Sequence, residues 1–322
     1  MNEITEPFAY VQDPLLQVVS PAAAWERDAA KRALDELFSY ASRYRSRREF
    51  KRLLEFIRRF RMYSPFNAML AHIQMPGARY VAPAHRWLGD YGRRVRPGAR
   101  PLIILQPRGP VMFVFDVSQT IPDPNAPPLP PEIEDPFAVV GGSADRELIR
   151  TIENAKRDGV FVGTYEPGSQ AAGVLIRSVV GEPLEMVFVR RRQGKTVREV
   201  KKVARQYAIL LDAKHPAEAQ YATLAHELGH LYCGHLGTLN PEWWPDRNGL
   251  EKQVMEFEAE SVSYLVCSRL GLKRASDYYL ATHLGKLSKE IPPISLDRVM
   301  AAAGLIEQMG QGRLELRPEK KP

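Results

Sequence analysis

Leu224–Gly237 reads LAHELGHLYCGHLG, with three histidines inside ten residues and a glutamate directly after the first. On an α-helix, His226 and His230 are four residues apart and project about 40° from one another, so both imidazoles reach one point in space. This is the geometry of the metal-binding pattern H-E-x-x-H, in which the intervening glutamate, here Glu227, acts on water beside the ion. Leu224, Ala225, Leu228, Leu231 and Tyr232 give the same helix a wide apolar face, which predicts a buried element holding its ligands rigidly. Gly229 costs such a helix about 1 kcal/mol relative to alanine, but its small size permits close approach of another backbone beside the site.

Two histidines leave a zinc ion short of a third protein ligand. If the helix continued, His235 would point about 140° away from His230. Gly234 instead suits a helix end, placing His235 on the turn beyond, beside a ligand, toward substrate or on the plain surface rather than on the metal. A metzincin spacing would need a glycine where Cys233 stands and a histidine where Leu236 stands. The better source is MEFEAESVSYLVCSRLGL, residues 255–272. Glu256 and Glu260 are four apart and share a helical face, while Glu258 points nearly the opposite way. In gluzincin-type sites a glutamate on a second helix ligates zinc, and a carboxylate one turn later orients a ligand histidine. Glu256 is therefore the expected ligand to Zn²⁺ and Glu260 the orienting carboxylate, with Glu260 as the alternative ligand. Phe257, Val262, Tyr264, Leu265 and Val266 make this helix apolar enough that its charges need partners.

Working outward, strand-like segments precede this helical region: VFVGTY, AGVLIRSVV, MVFVRR and YAILLD, the last at Tyr207–Asp212. Before them, SADRELIRTIENAKRDG has the capping and closing residues of a helix ending at Gly159. Ile121–Phe137, IPDPNAPPLPPEIEDPF, is too proline-rich for a helix and reads as an extended spacer. On its N-terminal side, Ala22–Phe60 reads as two helices, Ser64-Pro65 is a helix start, and PLIILQP and VMFVFDVSQT read as strands. The expectation is an α+β fold in two domains, residues 1–120 and 138–322, joined by the linker at 121–137.

Charge separates the same two parts. Residues 1–120 hold 19 Lys/Arg against 11 Asp/Glu, whereas the remainder holds 26 against 27. Arg43–Tyr63, RYRSRREFKRLLEFIRRFRMY, alone carries nine basic residues against two acidic ones. Arg45, Arg48, Arg52 and Arg59 fit one helical stripe, and Arg93, Arg94, Arg96 and Arg100 lie on a separate turn. Arginines so placed neutralise phosphates, and Tyr44, Tyr63, Tyr80, Trp87 and Tyr91 are candidates for stacking on unpaired bases. Single-stranded nucleic acid is the expected partner, an acidic protein the rival. A membrane is not expected, since no apolar run approaches the roughly 18 residues needed to span one. Two cysteines and an acidic N-terminus without a signal-like segment point to a reducing cytoplasm.

LAHELGHLYCGH followed by EFEAESVSYLV resembles the ImmA/IrrE type of metallopeptidase, and more narrowly the C-terminal domain of ArdC-like antirestriction proteins of mobile elements. In that family a glutamate matching Glu256 follows the two histidines. SPFNAMLAHIQMPGARYVAPAHRWLGDYGRRVRPGARPLIILQP and VMFVFDVSQT are similar to the family's single-stranded-DNA-binding domain. Arginine-rich N-terminal helices and a long proline-rich linker depart from it. The resemblance implies a zinc metallopeptidase fused to a DNA-binding module, acting on a peptide or protein. The alternative is a binding protein whose zinc is structural or sensory. Tyr207–Asp212 is a candidate to hold an extended peptide by strand addition, and His235, Tyr264 and Tyr278 are candidate oxyanion donors.

Overall fold

The computed structural model describes residues 44–106, 109–130, 133, 143–166, 173–177, 182–192, 195–272, 290–312 and 314. The helix expected over the first part of Ala22–Phe60, the residues beyond Ile133 in the expected linker and Tyr278 lie outside them.

Helix α1 (Arg47–Arg59) starts at Ser46, whose Oγ accepts the Glu49 amide at 3.2 Å. Phe50, Leu53, Leu54 and Ile57 recur at helical spacing and are fully buried. Arg47, Arg48, Lys51, Arg52 and Arg59 take the exposed side. Helix α2 (Pro65–Gln74) begins at the expected Ser64 cap with proline in its first turn. Two of its amide side chains close the edge of a strand. Asn67 and Gln74 each bond both the N–H and the C=O of a residue on the strand Leu102–Gln106, Leu105 and Ile103 respectively.

The first part continues with β1 (Val81–Ala82), α3 (Ala84–Tyr91), β2 (Arg93–Val95), β3 (Leu102–Gln106), β4 (Gly109–Asp116) and β5 (Thr120–Pro122). Strand β4 is central to the antiparallel sheet β1-β4-β3, and β2 pairs with β5. Buried Asp116 ends β4 by accepting the amides of Arg79, Tyr80 and Ser118, which fixes the turn after VFD.

Helix α4 (Asp145–Ala155) runs into a short 3₁₀ turn that ends at Gly159, φ 73°, as its sequence predicts. Then come β6 (Val160–Tyr165), β7 (Gly173–Arg177), β8 (Leu184–Arg192), β9 (Lys195–Val203) and β10 (Tyr207–Asp212). Strands β8 and β9 form an antiparallel hairpin, of which only the first arm is apparent in the sequence. Strand β10 lies between β6, parallel to it, and β7, antiparallel to it. Its backbone is paired on both sides over Tyr207–Leu211, so these residues offer no free edge for an added peptide strand. Among the described residues that edge belongs to β7 or β6.

Helices α5 (Ala217–Tyr232), α6 (Lys252–Leu270) and α7 (Leu296–Gln311) complete the mixed helix-and-sheet fold. One buried apolar cluster joins Phe50 and Ile57 of α1, Met69 of α2, Ile209 of β10, Leu224 and Leu228 of α5, Leu265 of α6 and Ile306 of α7. Arg269 of α6 lies across the join. It donates to the carbonyls of Ile57 (2.7 Å), Phe60 (3.0 Å) and Tyr63 (2.7 Å) and pairs with Glu307 of α7 at 2.5 Å. The cation thereby satisfies carbonyls that the end of α1 leaves without helical partners. No helix among the described residues is long and apolar enough to cross a membrane.

Candidate metal centre

Helix α5 buries Leu224, Ala225, Leu228 and Leu231 completely and leaves His226, Glu227 and His230 partly exposed on its other side. That side faces α6, and Gly229 sets how closely the two helices approach. A Cβ built on Gly229 would stand 3.2 Å from the Ala259 Cα and 3.2 Å from the Val262 Cβ. The close approach brings Glu256 over the histidine pair. The Nε2 atoms of His226 and His230 are 3.2 Å apart, and the Glu256 Oε2 lies 3.6 Å from each.

This triangle has the dimensions of one face of a coordination tetrahedron. Donors held about 2.0–2.2 Å from a common ion in tetrahedral geometry stand roughly 3.3–3.6 Å from one another. Two imidazoles and a carboxylate also form the donor set that suits zinc. Glu260, one turn beyond Glu256, places its Oε1 3.5 Å from the other ring nitrogen of His226, where an orienting carboxylate belongs.

Electrostatics match that arrangement. Burial opposes protonation of His226, but the carboxylates of Glu256, Glu260 and Glu227 more than offset it, and its pKa rises. His230 is pushed down to about 4, chiefly by burial and then by its neighbour His226. Glu256 is held near 2, first by its bond to His226. Glu227 moves up because it is buried, helped by the two other carboxylates. Three carboxylates around two imidazoles create a strongly negative pocket, which favours a dication.

His235 lies where the turn after Gly234 was expected to put it. Gly234 has φ 86°, and a Cβ there would meet the Pro245 carbonyl oxygen at 2.1 Å, so only glycine fits. The turn folds His235 back onto α5. Its amide donates to the His230 carbonyl at 3.0 Å, and its Nδ1 lies 2.9 Å from the Nδ1 of His230. It touches a candidate ligand without joining the triangle. The second ring nitrogen of His235 meets Glu258 at 2.8 Å.

Glu258 and Arg247 are the residues that sequence reasoning missed. Glu258 does point away from Glu256, but into the protein, where it is fully buried. Arg247 grips it with two bonds of 2.6 and 2.7 Å, and the Ser295 amide donates to it at 2.7 Å. Cys233, His235 and Glu258 also bring a thiol, an imidazole and a carboxylate together. That group does not suit a second cation: Arg247 already balances Glu258, and burial raises the Cys233 thiol pKa well above its ordinary value.

The expected oxyanion donors are differently placed. Tyr264 is 1 % exposed, and His235 is held between His230 and Glu258. In the N-terminal part, Arg45, Arg48, Arg52, Arg59, Arg94 and Arg96 are exposed, Arg94 in a pair with Asp123. Arg93 is half-buried and donates to the Thr120 hydroxyl. Trp87 must be corrected as a stacking residue. It is 0 % exposed, its indole N–H donates to the Phe115 carbonyl, and its ring packs against Tyr80 and Tyr91. A tryptophan in this sequence context reads equally well as surface or core, and here the small second core needed it. Among the described aromatic residues of this region, Phe113 on β4 is exposed.

No curated protein and no solved structure matches the chain. Residues 185–267, the segment carrying His226, Glu227, His230, Glu256 and Glu260, match the Peptidase_M78 family model, the IrrE N-terminal-like domain.

Proposed function

We propose that the chain is a zinc-dependent metallopeptidase of the ImmA/IrrE type, with His226, His230 and Glu256 as the metal ligands and Glu227 as the general base. The observation that carries this reading is the donor triangle, 3.2 to 3.6 Å on a side, with Glu227 adjoining it on the same helix. His226, His230 and Glu256 would hold a zinc ion there, which when bound would supply Lewis acidity for the scissile carbonyl and lower the pKa of water toward neutral. Glu227 takes the proton of the attacking water and later delivers it to the leaving amine. Its raised pKa suits both halves of that task. Glu260 holds His226 in the orientation that directs Nε2 into the triangle. An extended peptide would add to the sheet at its β7 or β6 edge, since β10 is already paired on both sides.

The N-terminal surface supports a second, compatible role. The exposed Arg45, Arg48, Arg52, Arg59 and Arg96, with Phe113 available for stacking, suit single-stranded DNA, as in an ArdC-like antirestriction or mobile-element regulatory protein. If DNA binding alone is the function, the metal domain is structural or sensory. Glu227→Gln in the full chain separates the two. On the peptidase reading the variant keeps its zinc and its DNA affinity and loses cleavage. Equal cleavage by both proteins, or a regulatory effect undiminished in the variant, refutes it.

A further inference from the structure

We propose that His235, anchored by Glu258 and Arg247, is a positioning residue that sets the proton arrangement of His230 for metal binding; this rests on the zinc reading above. To bind a cation through Nε2 as a neutral ring, His230 must carry its proton on Nδ1. That atom faces the Nδ1 of His235 at 2.9 Å, so His235 must accept there and carry its own proton on Nε2. The Nε2 of His235 in turn lies 2.8 Å from a Glu258 oxygen, which only accepts. The chain of donors and acceptors therefore has one self-consistent direction for neutral rings: His230 to His235 to Glu258. The reverse arrangement would put a proton on the Nε2 of His230, where the cation must sit.

Every part of this chain is fixed by its surroundings. Glu258 cannot rotate away, because Arg247 holds both of its oxygens and the Ser295 amide one of them. Arg247 is held by the turn itself, bonding the Cys233 carbonyl through its side chain and the Gly234 carbonyl through its amide. His235 is 5 % exposed, so water is poorly placed to replace either partner.

The test is zinc affinity of the full chain, measured by competition with a chromophoric chelator, together with ¹⁵N-histidine NMR of the zinc-loaded protein. His235→Phe removes the acceptor and should weaken zinc binding roughly 10- to 100-fold. His235→Asn restores an acceptor near the same place and should recover part of that loss, which a purely space-filling role would not explain. The wild-type spectrum should show His230 protonated on Nδ1 and His235 on Nε2. Zinc affinity in His235→Phe within about twofold of wild type, or the opposite proton positions, overturns the proposal. Should the phenylalanine variant fail to fold, the wild-type spectrum decides alone. A wild type that takes up no zinc refutes the metal reading as well, so the two failures are distinguishable.

Discussion

Replacing Gly229 by alanine sets two effects of known size against each other. Helix propensity alone favours alanine by about 1 kcal/mol in a helix interior. The new methyl, however, would stand 3.2 Å from the Ala259 Cα, 3.2 Å from the Val262 Cβ and 3.3 Å from the Ala259 carbonyl oxygen. Carbon atoms pack best at about 3.5–4.0 Å, so α5 and α6 must part by a few tenths of an ångström. None of the three contacts is the end of a flexible side chain that can swing aside. Overpacking of this kind costs about 1–3 kcal/mol, which outweighs the propensity gain and leaves a net loss of roughly 1 kcal/mol. The helices that separate are those carrying His226 and His230 on one side and Glu256 on the other, so zinc affinity should fall as well. Urea denaturation of the metal-free protein measures the first effect and chelator competition the second. A variant stabilised by about 1 kcal/mol, as propensity alone requires, would refute the close-packing argument.

Arg269→Met removes the cation that caps α1 and leaves Glu307 nearly buried without its partner. A loss of about 3–5 kcal/mol is expected, and Glu307→Leu in the same chain should recover much of it. A loss below about 1 kcal/mol, as for an exposed pair, would show that α1 is not anchored to α6 in this way. His72 packs against Tyr44 and Phe56, and burial pushes its pKa down to about 4. The unfolded chain therefore binds this proton more readily. Stability is intact above the unfolded value of about 6.5 and is lost as pH falls toward 4, by about 1–2 kcal/mol at pH 5 once partial solvent access is allowed for. Urea titrations at pH 7.5 and pH 5 should show a shallower pH dependence in His72→Leu than in wild type; identical slopes would exclude His72 as the cause.

What the sequence made legible was local. The i, i+4 histidines, the Ser64-Pro65 helix start and the helix ends at Gly159 and Gly234 depend on a few adjacent residues, and each lies where its own chemistry predicts. Glu256 and Glu260 were legible because helical periodicity gives them one face. Glu258 was not, although the same periodicity correctly turned it away. Its partners His235, Arg247 and Ser295 are 23, 11 and 37 residues distant, and nothing local says that a carboxylate among apolar residues has found an arginine. Strand β9, KTVREVKKV, was hidden by its charges, since a hairpin arm with polar residues lacks the apolar run that marks a buried strand. The central position of β10 depends on sheet order, which periodicity does not encode. Trp87, a stacking candidate by residue type, is instead buried in the small second core, because which side of α3 the core occupies is decided by tertiary packing.

The most direct test of the metal centre is zinc content after purification and dialysis, measured by elemental analysis on wild type and on the single variants His226→Ala, His230→Ala, Glu256→Ala and Glu258→Ala. The expected result is about one zinc per wild-type chain, near-complete loss in the first three variants, and weakened but detectable binding in a folded Glu258→Ala. Zinc retained in full by Glu256→Ala, or absent from wild type, would contradict the three-donor centre on which the proposed chemistry depends.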